Sequence, residues 1–166
     1  RSGVGIVVDN CDQPGARIFM EQVYLGDSDN NLLVDRLDHA DVSMHDLGHG
    51  GARGVSIRVI GGAAQAAGQA TSGRVDLFGG ESGGGNLTYQ VEHGGRLMVQ
   101  DCWFEGTPGF MRLTDSGTFT LNNANIAAFD HSHTVSGNGA VELDGFHGQV
   151  AFLNTTFTST SALVKG

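Results

Sequence analysis

Short segments of alternating apolar and polar residues recur along this 166-residue chain, and they constrain its fold more than any other feature. In the segment 87–106, Leu87, Tyr89 and Val91 alternate with polar residues. Gly94 and Gly95 then separate this run from a second alternating run. Alternation with a period of two, interrupted by glycine, is typical of short half-buried strands. The sequence therefore predicts a protein built mainly of short strands.

The alternating segments form a repeat, and each repeat contains a first, a second and a third strand. The second strands are predicted to start near Ala16, Ala40, Gly73, Gly95, Gly117 and Gly148. Their spacing averages roughly 26 residues, which is the unit length of stacked repeat proteins. Alignment on these starts produces four apolar columns. The columns are Ile6/Leu32/Ile57/Tyr89/Met111/Val141, Val8/Val34/Val59/Val91/Leu113/Leu143, Ile18/Val42/Val75/Leu97/Phe119/Val150 and Met20/Met44/Leu77/Val99/Leu121/Phe152.

A polar column follows the second strands and supports this register. Its members are Gln22, Asp46, Gly79, Asp101, Asn123 and Asn154. Gly, Asn and Asp tolerate left-handed backbone angles best, so the column predicts a sharp bend between the second and third strands. Asn and Asp are common in any turn, but their recurrence at one aligned position favours a stack with hydrogen bonds between repeats.

The three strands per repeat and the polar bend resemble the right-handed parallel β-helix superfamily, whose members have pectin-lyase-like folds. The resemblance implies an all-β fold, a right-handed parallel β-helix solenoid with about six to seven coils. Residues 1–166 are then expected to be a single β-helix domain, either a mature product or a fragment of a longer protein. Segment 161–165 is expected to begin a seventh coil. No amphipathic capping helix is evident, so either a missing neighbouring segment or an end-to-end partner is expected.

Two segments depart from the repeat and are expected to be loops. Segment 61–72 contains AAQAAGQA, which could form a short helical turn, but its glycines favour a flexible loop. Segment 130–139 is polar and contains His131 and His133. Without a visible third ligand, these two histidines are interpreted as loop residues. The sequence therefore predicts no metal site and no cofactor.

Composition limits the partners. The chain has 9 basic and 18 acidic residues, for a net charge of −9. Nucleic acids and anionic membranes bind clustered Lys and Arg, so neither is an expected partner. No apolar run reaches the length of about 18 residues that a membrane span needs. Cys11 and Cys102 would lie roughly 14 Å apart across three coils, which predicts two free thiols.

The resemblance also implies where a polysaccharide would bind. In enzymes with this fold, a groove on the outer face of the first strands holds the substrate. Glu92 and Asp144 are candidates for the two carboxylates of a hydrolase, and Arg58 or Arg112 for the cation or base of a lyase. The residues assigned to catalysis are Arg58, Glu92, Arg112 and Asp144, and those assigned to substrate binding are Gln90, Asp115, Glu142 and Trp103.

Simpler interpretations of the same residues stay open. Arg112 and Glu142 could form an ordinary surface ion pair, worth about 0–1 kcal/mol. Trp103 stacks on sugar if its side chain points outward, as its alignment with Tyr24 and Glu81 favours, and belongs to the core if it points inward. His49, between two glycines, is interpreted as a histidine in a Gly-rich turn.

The sequence thus leads to two functional hypotheses. The first is a β-helix domain that binds or processes polysaccharide, as a lyase or hydrolase, outside the cell or in the cell envelope. The alternative is a non-catalytic structural or adhesive module of a surface protein, fibre or phage tailspike. That alternative predicts that the charges of the groove pair with one another and that the chain self-associates through uncapped ends.

Overall fold

The computed structural model of the chain describes residues 3–9, 12–105, 109–127, 141–158 and 164–165. Within these ranges the protein is all-β, apart from a single four-residue helix. The strands are β1 (Val4–Val8), β2 (Arg17–Glu21), β3 (Tyr24–Gly26), β4 (Asn30–Leu37), β5 (Asp41–Gly50), β6 (Val55–Gly61), β7 (Arg74–Gly83), β8 (Leu87–Glu92), β9 (Arg96–Gln100), β10 (Trp103–Glu105), β11 (Gly109–Thr114), β12 (Thr118–Asn122), β13 (Asn125–Ala127), β14 (Val141–Asp144), β15 (Gln149–Leu153), β16 (Thr156–Thr158) and β17 (Val164–Lys165), and the helix is α1 (Ala63–Ala66).

The strands form two parallel sheets. The first sheet has seven strands in the order β1-β4-β6-β8-β11-β14-β17. The second sheet has ten strands, in which β15-β12-β9-β7-β10-β13-β16 form one path and β5 pairs with β2, β3 and β7. The predicted second and third strands of two repeats are continuous here, as β5 and β7. Both lie in this second sheet.

The predicted register is confirmed in both sheets. Ile6 pairs with Leu32, Leu32 with Ile57, and Ile57 with Tyr89. The other three apolar columns pair in the same way, so residues about two dozen positions apart are neighbours across adjacent strands. Within the described residues, β17 continues the first sheet in register with β14. The columns are fully buried in the middle strands, whereas most of their members in the outer strands are half-buried.

The polar column adopts the predicted backbone conformation. All six of its members have positive φ, between 47° at Asn154 and 70° at Gly79. Its last three residues also form a hydrogen-bonded ladder, in which Asn123 donates to Asp101 and Asn154 Nδ2 donates to Asn123 Oδ1 at 2.9 Å. The hydrogen bond from Asn123 lowers the pKa of the Asp101 carboxyl. The stack that the sequence predicted is therefore present.

The prediction of a flexible loop at segment 61–72 was wrong in part, because this segment contains helix α1. The Asp38 carboxylate accepts hydrogen bonds from the backbone N–H of Gln65 at 2.9 Å and of Ala64 at 3.3 Å. A Cβ at Gly62 would lie 2.2 Å from the Asp38 carboxyl carbon, so glycine leaves room for this contact. A carboxylate at the first turn stabilises a helix that is too short to form alone. Asp38 is 26 residues from Ala64, so local sequence could not reveal it.

Candidate functional site

The predicted groove residues form a row on the first sheet. Arg58 pairs in register with Gln90, Gln90 with Arg112, and Arg112 with Glu142. Adjacent strands lie about 4.8 Å apart, so the row spans roughly 14 Å. Successive residues in a strand point to opposite faces. These four half-buried side chains therefore share the outer face of the sheet, opposite the core.

Two of the predicted catalytic residues, Arg58 and Glu92, form an ion pair. Arg58 donates from Nε to Glu92 Oε1 at 2.6 Å, and its second nitrogen, Nη2, lies 2.5 Å from the same oxygen. Gln90 Nε2 donates to Glu92 Oε2 at 3.0 Å. The side chain of Glu92 is only 8% exposed. Both of its carboxylate oxygens are thus occupied by neighbouring side chains.

The remaining predicted charges lie further along the same sheet. Arg112 donates to Glu142 at 2.7 Å, as the ion-pair interpretation predicted. Asp115 pairs with His93 Nδ1 at 2.8 Å, and both residues have positive φ at the bends that follow their strands. Asp144 is exposed and lies in β14, in register with Thr114 of β11. Strand β11 separates it from β8, which carries Glu92.

Trp103 points outward, as its alignment predicted, but it lies on the second sheet and away from the other candidates. Its side chain is 48% exposed, whereas the next residue, Phe104, is 1% exposed. Trp103 belongs to a registered row of outward positions, which we call the third-strand row. The members of the third-strand row are Tyr24, Gly48, Glu81, Trp103, Asn125 and Thr156.

Tyr24 and Glu81 align with Trp103 in the sequence, which assigns neither of them to a site. In the structure both are exposed and, together with Trp103, line one cleft. The signal that could have identified them was the alignment itself, which places two aromatic residues and a carboxylate in one outward row.

The prediction that His49 lies in a Gly-rich turn was wrong, because His49 lies inside β5 and is buried. Its Nδ1 is 2.8 Å from Ser56 Oγ, and its Nε2 is 3.3 Å from the Tyr89 hydroxyl. Burial lowers the pKa of this imidazole to about 3. Gly50 allows β5 to pack closely against β7, since a Cβ at this position would lie 2.0 Å from the Gly83 carbonyl oxygen.

Cys102 is a free, buried cysteine, in agreement with the prediction, whereas Cys11 lies outside the described residues. Its Sγ lies 3.1 Å from the carbonyl oxygen of Gly79. Burial raises the pKa of the thiol to about 12. A thiol that stays protonated is a poor nucleophile, so Cys102 belongs to the core and not to a reactive site.

The predicted loop histidines, His131 and His133, also lie outside the described residues. Among the residues that the structure does describe, no group of three or more His, Cys, Asp or Glu side chains could hold a metal ion. Nor does any described helix combine the length and apolar character needed to cross a membrane. Comparison with protein-family models, with curated proteins and with solved structures finds no match to this chain.

Proposed function

We propose that this chain is a right-handed parallel β-helix domain that binds polysaccharide outside the cell or in the cell envelope. The order of the strands supports the fold. The chain passes from the first sheet to the second and back in each repeat, and each strand pairs with its counterpart in the next repeat. Connections between parallel strands of one sheet are almost always right-handed, which supports the proposed hand.

The main support for the binding function is the row formed by Arg58, Gln90, Arg112 and Glu142. A guanidinium, an amide and a carboxylate can each form hydrogen bonds with sugar hydroxyls. Ion pairs hold both arginines in place, so little side-chain freedom would be lost when a ligand binds. A linear polysaccharide that runs across the strands would meet one of these polar groups about every 4.8 Å.

Binding is favoured over processing because of the state of Glu92. A general acid or base must reach the proton that it transfers. Glu92 is nearly buried, and Arg58 and Gln90 occupy its oxygens. Processing by Arg58, Glu92, Arg112 and Asp144 would require this cluster to open. Gln90, Asp115 and Glu142 retain their proposed roles in substrate binding, as does Trp103 on the other sheet.

A polysaccharide panel tests this proposal with Arg112→Ala as the variant. We expect at least one polysaccharide to bind the wild type, and Arg112→Ala to weaken that binding about tenfold or more, because hydrogen bonds to charged groups are lost. Affinity would be measured by titration calorimetry. Arg74→Ala is the matched control, since Arg74 also forms an exposed ion pair, with Asp76 at 2.8 Å, but lies on the second sheet. The control should bind like the wild type.

The same panel separates binding from processing. Each polysaccharide would be incubated with the protein and monitored for new reducing ends and for unsaturated ends. We expect neither product. Turnover that Asp144→Asn abolishes would show that the domain is a hydrolase or lyase, and the absence of binding to every member of the panel would refute the proposed function.

The structural alternative is favoured by the pairing of Arg58 with Glu92 and of Arg112 with Glu142. On this hypothesis the charges satisfy one another and keep the sheet face soluble, and the module self-associates. Sedimentation over a range of protein concentrations distinguishes the two. Self-association together with no polysaccharide binding would favour the module, whereas a monomer that binds polysaccharide would favour the proposed function.

A further inference from the structure

Two exposed aromatic side chains occupy the third-strand row. Tyr24 is 74% exposed and Trp103 is 48% exposed. Large apolar side chains left in water are informative when they cluster, because burying them against a ligand releases free energy. Here they lie on the same face, three register positions apart.

A cleft of about 150 Å³ lies between these two aromatics. The Tyr24 ring covers Gly48, since a Cβ at that position would lie 2.8 Å from Tyr24 Cδ2. Only Glu81 then separates the Tyr24 ring from Trp103, which places the two aromatics roughly 9.6 Å apart, or two strand spacings. A pyranose ring in van der Waals contact with an aromatic on each side, at about 3.5–4.0 Å, needs roughly 7–8 Å in all, so the gap is wide enough for one ring.

The cleft also contains a carboxylate with unused hydrogen-bonding capacity. Glu81 is exposed, and no basic side chain among the described residues forms an ion pair with it. The next residue, Ser82, is in register with the buried Phe104, so its side chain faces the core and not the cleft. A carboxylate accepts hydrogen bonds from two neighbouring sugar hydroxyls, so Glu81 can orient a bound sugar.

The charge of the cleft selects against acidic sugars. Its six lining residues are Tyr24, His49, Glu81, Ser82, Gly83 and Trp103, and none of them is Lys or Arg. His49 is buried and its low pKa keeps it neutral near pH 7. Glu81 and the net charge of −9 would both repel a uronate carboxylate. The cleft therefore matches an uncharged polysaccharide better than an acidic one.

A second cleft, of about 410 Å³, lies on the other side of Trp103. Asn125 and Thr156 of the third-strand row line it, together with Asp101, Asn123 and Asn154 of the polar ladder. Amide and hydroxyl side chains are neutral donors and acceptors that suit sugar hydroxyls. Trp103 thus stands between two clefts, and a polymer held in the first could continue across the tryptophan into the second.

We propose that the third-strand row is a binding site for an uncharged polysaccharide, with one pyranose ring held between Tyr24 and Trp103 and hydrogen-bonded by Glu81. This inference rests on the proposed polysaccharide-binding function. It adds a second surface, distinct from the row on the first sheet, and it names the chemical class of the sugar.

Trp103 is the single tryptophan of the chain, so its fluorescence reports directly on the site. Wild-type protein would be titrated with cellohexaose, mannohexaose and xylohexaose as neutral probes, and with hexagalacturonate as the acidic probe. We expect at least one neutral hexaose to shift the tryptophan emission to shorter wavelength and to protect it from acrylamide quenching, because stacking removes water from the indole. Hexagalacturonate should do neither.

Variants provide the second readout, by calorimetry with the neutral hexaose that binds. Trp103→Ala should weaken binding about tenfold or more, as expected for a central aromatic contact. Glu81→Gln, which keeps the shape of the side chain and removes its charge, should weaken binding about tenfold through the loss of charge-assisted hydrogen bonds. Phe19→Ala is the matched control, since Phe19 is also an exposed aromatic but lies in a different row of the second sheet, and it should bind like the wild type.

The outcomes separate this inference from the function on which it rests. If a polysaccharide binds and Arg112→Ala weakens it while Trp103 fluorescence and Trp103→Ala affinity stay unchanged, the third-strand site is refuted and the proposed function stands. If no saccharide binds, both are refuted. Quenching protection by hexagalacturonate would refute the uncharged class.

Discussion

Phe104→Ala is expected to lower the free energy of unfolding by about 3–5 kcal/mol, the usual cost of removing a buried phenylalanine from a packed core. Phe104 is almost completely buried, and its ring centroid lies 5.7 Å from that of Tyr89 and 5.1 Å from that of Phe110. Truncation would leave a cavity lined by two aromatic rings. The measurement is denaturant unfolding followed by far-ultraviolet circular dichroism.

Trp103→Ala is the matched control for this prediction, because Trp103 directly precedes Phe104 in β10 but points to solvent. Surface substitutions usually change stability by less than about 0.5 kcal/mol, and we expect no more than about 1 kcal/mol for this larger side chain. Circular dichroism is required because this variant lacks the only tryptophan. Equal losses in the two variants would contradict the inward and outward assignment of the third-strand row.

Acidification is expected to destabilise the protein through His49. Its pKa is about 3 in the folded protein, against an ordinary value of 6.5 in the unfolded chain. Between these two values the unfolded state binds a proton that the folded state does not, so stability falls as the pH is lowered. The slope is about 1.4 kcal/mol per pH unit, which gives roughly 2 kcal/mol between pH 6.5 and pH 5.

The measurement compares the wild type with His49→Gln by urea unfolding at pH 7, 6 and 5. Every other titrating group is present in both proteins, so the difference in slope isolates His49. The variant should lose the added slope even if its stability at pH 7 is lower, because glutamine cannot be protonated. Parallel slopes in the two proteins would show that His49 is exposed to water in the folded state.

The candidate site shows how far sequence can predict side-chain placement. The row of Arg58, Gln90, Arg112 and Glu142 was predicted because strand alternation fixes which side chains share a face. The partners of each charge were only partly predictable. Arg112 and Glu142 are direct register neighbours, whereas Arg58 reaches Glu92, which lies two residues beyond its own register partner. The side-chain rotamers adopted in the folded protein determine which of these neighbours forms the ion pair.

Two corrections have the same origin. Helix α1 forms because Asp38, from the previous repeat, accepts hydrogen bonds from its first amides. His49 is buried because its ring faces the core, where it contacts Tyr89 of a later repeat. In both cases the decisive contact joins residues that are far apart in sequence. A local pattern of small residues, or of glycines around a histidine, carries no information about that contact.

The strands, their parallel register and the left-handed bend after each second strand can be predicted from the sequence alone. These features depend on local alternation and on residues that tolerate positive φ, both of which can be read without coordinates. Only the folded structure shows which polar side chains are buried and which charges pair. It also shows that Tyr24, Glu81 and Trp103 line one cleft. Those outcomes depend on distances between side chains brought together only when the repeats stack.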